Sequence, residues 1–212
     1  HTSQPIQKDM SRPTSLQIEL RELGEISPSG YFIGLHIRMA APLITFQTYP
    51  QEWRDHYTEA AYALRDPILA WGFGPVGSAR WSNLGIPDPF GILEAGATFG
   101  LRYGVAVSYG QISSRTIAGS ARDDREFTDE EIERIEIIVQ RLHNATTPPD
   151  SLTKAQIDAL SRVAAGDRHA QAAAALGISE SAFRARLTSA RQRLLARTTA
   201  EAIQRAKDYR LL

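Results

Sequence analysis

The chain has 212 residues, 42% of them hydrophobic, with no cysteine and with 24 basic against 24 acidic side chains. The lack of cysteine excludes a disulfide scaffold, a thiolate metal site and a cysteine nucleophile, and apolar runs such as Ala40-Ala41-Pro42-Leu43-Ile44 fall far short of the roughly 20 residues of a membrane-spanning helix. The zero net charge hides a division: from Leu152 onward 11 Lys and Arg face 5 Asp and Glu, and the remainder holds 13 against 19, so an anionic partner suits the shorter, basic segment alone.

His1-Thr2-Ser3 lacks an initiator methionine and is set aside. The polar stretch that follows has no apolar core of the kind a signal peptide needs, so a cytoplasmic location is expected. Residues 15–23 read as a helix. Residues 31–38 and 43–48, rich in β-branched and aromatic side chains, read as strands around a Met39-Ala40-Ala41-Pro42 turn. Residues 51–64 and 67–71 read as helices, the second with Pro67 at its start, where a missing N–H is harmless. Residues 89–101 read as a further helix, and 103–109 and 115–121 as strands joined by a polar turn. Thr128-Asp129-Glu130-Glu131 is a capping box that opens a long helix. Along that helix Ile132, Ile135, Ile138, Val139 and Leu142 recur at the spacing of one buried stripe. The predicted order is α, β, β, α, α, α, β, β, α. Strands flanked by helices at both ends imply an α+β fold, an α-β-α sandwich around an antiparallel sheet.

The stretch Asn144-Ala145-Thr146-Thr147-Pro148-Pro149-Asp150 breaks the chain, because two prolines end a helix and disfavour helix just before them. Composition changes there to Ala- and Arg-rich helix. Two domains are expected, 1–147 and 148–212. In the second, Thr153 suits an N-cap, Ile157, Leu160, Val163 and Ala164 keep helical spacing, and Gly166 suits a left-handed residue just past the helix end. A short helix over 170–176 is followed by the tight turn Gly177-Ile178-Ser179, with Ser179 as the next N-cap. The third helix turns Phe183, Leu187, Ala190 and Leu194 to one side and Ser181, Arg184, Thr188 and Arg191 to the other. A fourth begins near Thr199, with Ala202, Ile203 and Ala206 apolar. An all-α, four-helix domain results.

A helix about 10–12 Å wide fits the major groove of DNA, where only its outward residues reach base edges. Arg184 and Thr188, four apart, share such a face. Arg can grip guanine with two hydrogen bonds, and Thr can meet a thymine methyl or a phosphate. Ser179, Ser181 and the N–H groups at the helix start can hold phosphates, and Arg191 extends the same face.

Leu152-Thr153, Leu160, Gly166, Ala173, Leu176-Gly177-Ile178-Ser179, Leu187, Ala190 and Leu194 together resemble the LuxR-type helix-turn-helix over essentially the whole segment. Two positions depart from it: Gln156 stands where the family has Glu, losing a charge, and Asp167 stands where a basic residue often meets phosphate. Upstream, Tyr49-Pro50-Gln51-Glu52-Trp53-Arg54-Asp55-His56-Tyr57, then Asp66-Pro67 and Trp81, resemble the autoinducer-binding domain of quorum-sensing LuxR regulators over residues 16–142. A phosphoacceptor receiver is not indicated, since the acidic pair and parallel α/β pattern it needs are missing.

That resemblance implies an N-acyl (or aroyl) homoserine lactone as ligand, double-stranded DNA as partner, and a homodimer on a near-palindromic site. For such a ligand, Asp66 would accept the amide N–H, Trp53 would donate to the lactone carbonyl, and Tyr49 would donate to the amide carbonyl. Tyr57 and Trp81 would wall the ligand by packing, and Ser120 would add a hydrogen bond. Asp66 before Pro67 equally suits a helix N-cap. The alternative is a LuxR-type regulator that binds no lactone and responds to another metabolite, or acts by heterodimerising with a relative.

Other features are set aside. Gly72-Phe73-Gly74-Pro75-Val76-Gly77 spells G-x-G-x-x-G, but it follows a predicted helix and contains a proline, so the dinucleotide context fails. His36, His56, His143 and His169 form neither an i, i+4 metal pair nor a triad, and core or surface roles are expected. Asn144-Ala145-Thr146 would be a glycosylation site only in a secreted protein. No catalytic group, metal or cofactor is expected, and lactone hydrolysis, which needs a metal cluster or an activated nucleophile, is disfavoured.

Overall fold

The computed structural model describes residues 15–38, 41–148 and 152–212. The chain divides into two compact units, one ending at Ala145 and the other beginning at Thr146. Met39 and Ala40 of the expected turn, and Pro149 and Asp150 of the expected break, lie outside the described residues.

The first unit runs α1 (Ser15–Ile26), β1 (Tyr31–Ile37), β2 (Ile44–Gln47), α2 (Gln51–Glu59), α3 (Pro67–Gly72), β3 (Gly77–Arg80), α4 (Ile92–Ala97), β4 (Tyr103–Tyr109), β5 (Arg115–Arg122) and α5 (Asp129–Ala145). Its five strands form one antiparallel sheet in the order β2-β1-β5-β4-β3. The fold is α+β, with helices on both faces of that sheet. Central strand β5 is buried along its whole length, which its two paired neighbours and two covered faces require.

Side chains alternate across a strand, and the two faces build two cores. Tyr31, Ile33 and Leu35 of β1, Val105 and Val107 of β4 and Ala118 of β5 pack with Leu23 and Ile26 of α1 and with Ile135, Ile138, Val139 and Leu142 of α5. The opposite residues, Phe32, Ala106 and Ala121, face a second core with Trp53 of α2, Trp71 of α3, Ile92 of α4, and Trp81. The α5 capping box is formed: Glu131 N–H donates to Thr128 Oγ1 at 3.2 Å, and Thr128 N–H to Glu131 Oε2 at 2.8 Å.

Three details differ from the sequence expectation. The helix expected over 51–64 stops at Glu59, because Ala61 takes a left-handed backbone (φ 52°) before a 3-10 turn at Tyr62–Leu64. The helix expected over 89–101 shrinks to Ile92–Ala97, with Gly100 (φ 85°) turning the chain so that Leu101 N–H meets Gly96 O. Strand β3 was not expected at all. Gly-Ser-Ala-Arg has little strand propensity, and pairing with β4 at the sheet edge makes it a strand.

The second unit holds α6 (Lys154–Ala164), α7 (His169–Ala175), α8 (Glu180–Arg193) and α9 (Thr199–Asp208). Leu160, Ala172, Ala173, Phe183, Leu187, Ala190, Leu194, Ala202 and Ala206 form its core. Thr153 and Gln156 make a reciprocal capping box on α6, and Ser179 caps α8. Gly177 (φ 65°) closes α7: its N–H meets Ala174 O, and Ile178 N–H reaches Ala173 O. This left-handed ending is one that glycine adopts without steric cost. Among the described residues no helix is long and apolar enough to cross a membrane.

Candidate functional site

The second core is not solid. Between α2, α3, α4 and the sheet lies a cavity of about 290 Å³, lined by Phe32, Tyr49, Trp53, Tyr57, Asp66, Ile68, Leu69, Trp81, Ile92, Leu101 and Gly119 among others. That is close to the lower end of the volumes small-molecule sites occupy, and the mostly apolar lining with few polar groups is their usual chemistry.

The polar groups follow from the local fold. Asp66 is both the N-cap of α3 and a wall of the cavity. Its Oδ1 accepts from Ile68 N–H at 2.7 Å and its Oδ2 from the Tyr57 hydroxyl at 2.6 Å. Burial raises its carboxyl above the usual range, opposed by the Tyr57 hydroxyl and the backbone N–H groups of Ile68 and Leu69. A carboxylate offers about four lone-pair sites, so acceptor capacity remains for a ligand N–H. Burial, then the Asp66 charge, raises the Tyr57 phenol.

Trp81 lies flat on β4 because Gly104 has no side chain; a Cβ there would fall 2.0 Å from the ring. The indole N–H of Trp81 is buried without a hydrogen-bond partner. Trp53 packs edge-on against Tyr57, with ring centroids 5.6 Å apart, and tilted against Phe99 at the same distance.

Five of the six expected ligand residues, Tyr49, Trp53, Tyr57, Asp66 and Trp81, therefore line one cavity. Ser120 does not. It is paired with Tyr31 and Val105, both in the core against α1 and α5, so its side chain points to the opposite face of the sheet. The strand's period of two puts Gly119 on the cavity side instead. The Tyr49 hydroxyl also departs from expectation: it donates to Gly119 O at 2.8 Å, so its one proton is already committed to the protein. The glycine explains this contact, since a Cβ at Gly119 would sit 2.8 Å from that hydroxyl. Sequence reasoning missed the role of Gly119 and the apolar wall of Phe32, Ile92 and Leu101. Alternation along β5 was the signal available for the first.

The G-x-G-x-x-G stretch is no phosphate loop here. Gly72 packs on Ile117 at the end of α3, and Gly77 opens β3.

On α8, Ser181, Arg184 and Thr188 are exposed and Arg191 is half-buried, all on the side away from Phe183, Leu187 and Ala190. Arg184 pairs with Glu180 one turn back. Arg191 Nη2 donates to Thr188 Oγ1 at 3.2 Å. Ser179 Oγ accepts from Ala182 N–H as a cap and lies 3.0 Å from Ser181 Oγ. Gln156 acts within the fold: besides its capping bond it donates to Ser189 Oγ at 2.9 Å. Asp167 pairs with Arg162 at 3.4 Å.

The family model of the autoinducer binding domain matches residues 31–146, more than half of the chain. No curated protein matches the sequence. Among solved structures, Escherichia coli SdiA aligns with a TM-score of 0.51 at 19% identity, covering 94% of this chain and 93% of that one. SdiA in complex with octanoyl-rac-glycerol aligns at 0.49 and 18% identity over 93% and 90% of the two chains. CepR2 of Burkholderia cenocepacia, an N-acylhomoserine lactone dependent LuxR family transcription factor, aligns at 0.48 and 20% identity over 60% of this chain and 78% of that one. At such identities the likeness to SdiA concerns the fold alone.

Proposed function

Because the chain belongs to the autoinducer binding domain family, we propose that it is a ligand-responsive transcription regulator of quorum sensing whose first unit senses an N-acyl or N-aroyl homoserine lactone. The observation that carries this reading is one apolar cavity walled both by a buried carboxylate acceptor, Asp66, and by Trp81, whose buried indole N–H has no hydrogen-bond partner. An acylated lactone amide presents the complement: an N–H for the carboxylate, carbonyl oxygens for indole N–H groups, and an apolar tail for the rest. Trp53 lines the same space and is the second indole donor. Tyr57 orients Asp66 through their hydrogen bond.

The second unit is, in this proposal, a LuxR-type helix-turn-helix that binds double-stranded DNA as a homodimer in the cytoplasm. Helix α8 enters the major groove with Arg184 and Thr188 toward base edges, while Ser179, Ser181 and Arg191 serve the phosphates. The excess of basic residues in this unit and the exposure of Arg184 and Thr188 support it. Ligand alters DNA affinity to the extent that it binds one state of the protein better than another.

A panel of homoserine lactones read out as thermal stabilisation of the full chain tests the sensing role. A ligand at 100 times its Kd adds about 2.7 kcal/mol to stability, a clear shift in Tm. Failure of every lactone to stabilise the protein, alongside a shift with another metabolite, would replace the lactone with that compound.

A further inference from the structure

The cavity face of the sheet ends on a buried arginine. Arg115 opens β5 on the same face as Ile117 and Gly119 and is register partner to Ile37, which lines the cavity. Its Nη2 meets Gly74 O at 3.5 Å, directly after Phe73, another lining residue. Arg115 is 5% exposed, and its Nε and Nη1 are buried with no hydrogen-bond partner. Other arginines of this unit, such as Arg80, Arg122 and Arg134, each reach a carboxylate; among the described residues none pairs with Arg115.

A guanidinium stays charged and presents its donors in a planar fork matched to a carboxylate. Burying one without an acceptor is costly, and a partner that supplies the acceptor relieves that cost. The position gives the unpaired donors a meaning. Asp66 caps the start of α3 and Phe73 follows its end, so the two lie about 10 Å apart along the helix. A headgroup held at Asp66 would direct its tail along α3 toward Ile37 and Phe73, which line the cavity; Arg115 does not line it but stands beside them, paired with Ile37 in the sheet and in contact with Gly74 O next to Phe73. Phe73 is itself 40% exposed and has room to turn aside.

We infer that Arg115 reads the far end of the signal, and that the ligand's tail ends in a carboxylate rather than a methyl group. This rests on the lactone reading of the same cavity and narrows its chemical class. In it, Arg115 and Asp66 divide the recognition of one molecule between its two ends.

The test is titration of the full chain with paired homoserine lactones of equal tail length, one ending in methyl and the other in carboxylate, over a series of lengths. At the matching length the wild type is expected to bind the carboxylate member at least about tenfold tighter, as a charge-assisted bidentate contact implies. Arg115→Leu is expected to erase or invert that preference while still binding methyl-ended tails. Should this variant not fold, Arg115→Gln replaces it, and the wild-type ratio decides by itself. Equal or weaker binding of the carboxylate member at every length overturns the inference about Arg115 and leaves the lactone reading standing. Binding of neither series overturns both.

Discussion

The Tyr57 hydroxyl donates to Asp66 at 2.6 Å, joining α2 to the first turn of α3 through a buried carboxylate that also caps that turn. One side chain thus opens a helix and leaves acceptor capacity at a cavity wall. Asp66→Asn keeps the volume and a good capping oxygen but removes the charge. The fold is expected to survive, and lactone affinity to fall about ten- to a hundredfold, the worth of a charge-assisted hydrogen bond. Isothermal titration beside circular dichroism separates the two effects. Unchanged affinity for every active lactone would remove Asp66 from the site.

Gly104 is a second point of dependence, since its missing side chain is what lets Trp81 lie on the sheet. Gly104→Ala puts a carbon 2.0 Å from the ring, far inside contact distance, so the indole must leave its place. Overpacking of this kind costs about 1–3 kcal/mol, occasionally more. Urea unfolding should show that loss together with weakened ligand binding. A stable variant with an unaltered ligand profile would mean that Trp81 is not fixed where the fold puts it.

Local chemistry made much of this legible beforehand. The capping box at Thr128, the N-caps at Thr153 and Ser179, the glycine ending at Gly177 and the buried stripe of α5 are each decided within a turn or two of chain. So is the clustering of Trp53 and Tyr57, one helical turn apart on α2. What escaped depends on distant partners. Strand β3 exists because β4 offers it a ladder. The side of β5 that faces the cavity is set by registers with β1 and β4, a matter of one residue, and a resemblance that points to Ser120 does not carry that register. Tyr49 was expected to offer its proton to a ligand, and only the packed structure brings Gly119 O within reach of it.

Among the described residues no histidine lines the cavity. His36, in a left-handed conformation (φ 52°) at a bulge in β1, has Nδ1 2.9 Å from Ser114 Oγ and Nε2 3.0 Å from His143 O, with the two imidazole centroids 4.2 Å apart. Burial, then His143, lowers the His36 pKa to about 4, and burial lowers His143 as well. A depressed histidine favours folding above its unfolded pKa near 6.5, and that contribution disappears as pH falls from 6.5 to about 4. The loss is about 3 kcal/mol for His36, with His143 adding in the same direction. Asp124 and Glu131, lowered to about 2 by their arginine partners, act mainly at lower pH. Urea unfolding between pH 7.5 and 4.5 should show this slope, and His36→Asn, which tolerates the left-handed backbone, should flatten it. A slope identical in the variant would place the protons elsewhere.

The proposed base contact requires Arg184 on α8 to give up its exposed Glu180 pair, a small cost because surface pairs are weak. Arg184→Ala should lower affinity for the operator by about 1–3 kcal/mol and relax sequence preference at one position. Arg191→Ala should weaken binding to all sequences alike and reduce the salt dependence. Competition gel shifts at several salt concentrations distinguish these outcomes. An Arg184→Ala protein that discriminates like the wild type would take this residue off the base edges.

The two adjacent residues Gly119 and Ser120 give the sharpest comparison. Ser120 is buried on the α1 and α5 side, and its hydroxyl has no partner. Ser120→Ala removes an unsatisfied polar atom, so stability should hold or rise slightly and lactone affinity should not change. Gly119→Ala points a methyl at the Tyr49 hydroxyl from 2.8 Å, which must break the Tyr49–Gly119 contact and push the phenol into the cavity. Affinity should fall at least about tenfold, with a stability loss of about 1–3 kcal/mol. Tyr49→Phe in the Gly119→Ala background relieves the clash and should restore part of the binding. If Ser120→Ala weakens the ligand and Gly119→Ala does not, the side of β5 that meets the signal is the reverse of the one described, and the register of the central strand must be redrawn.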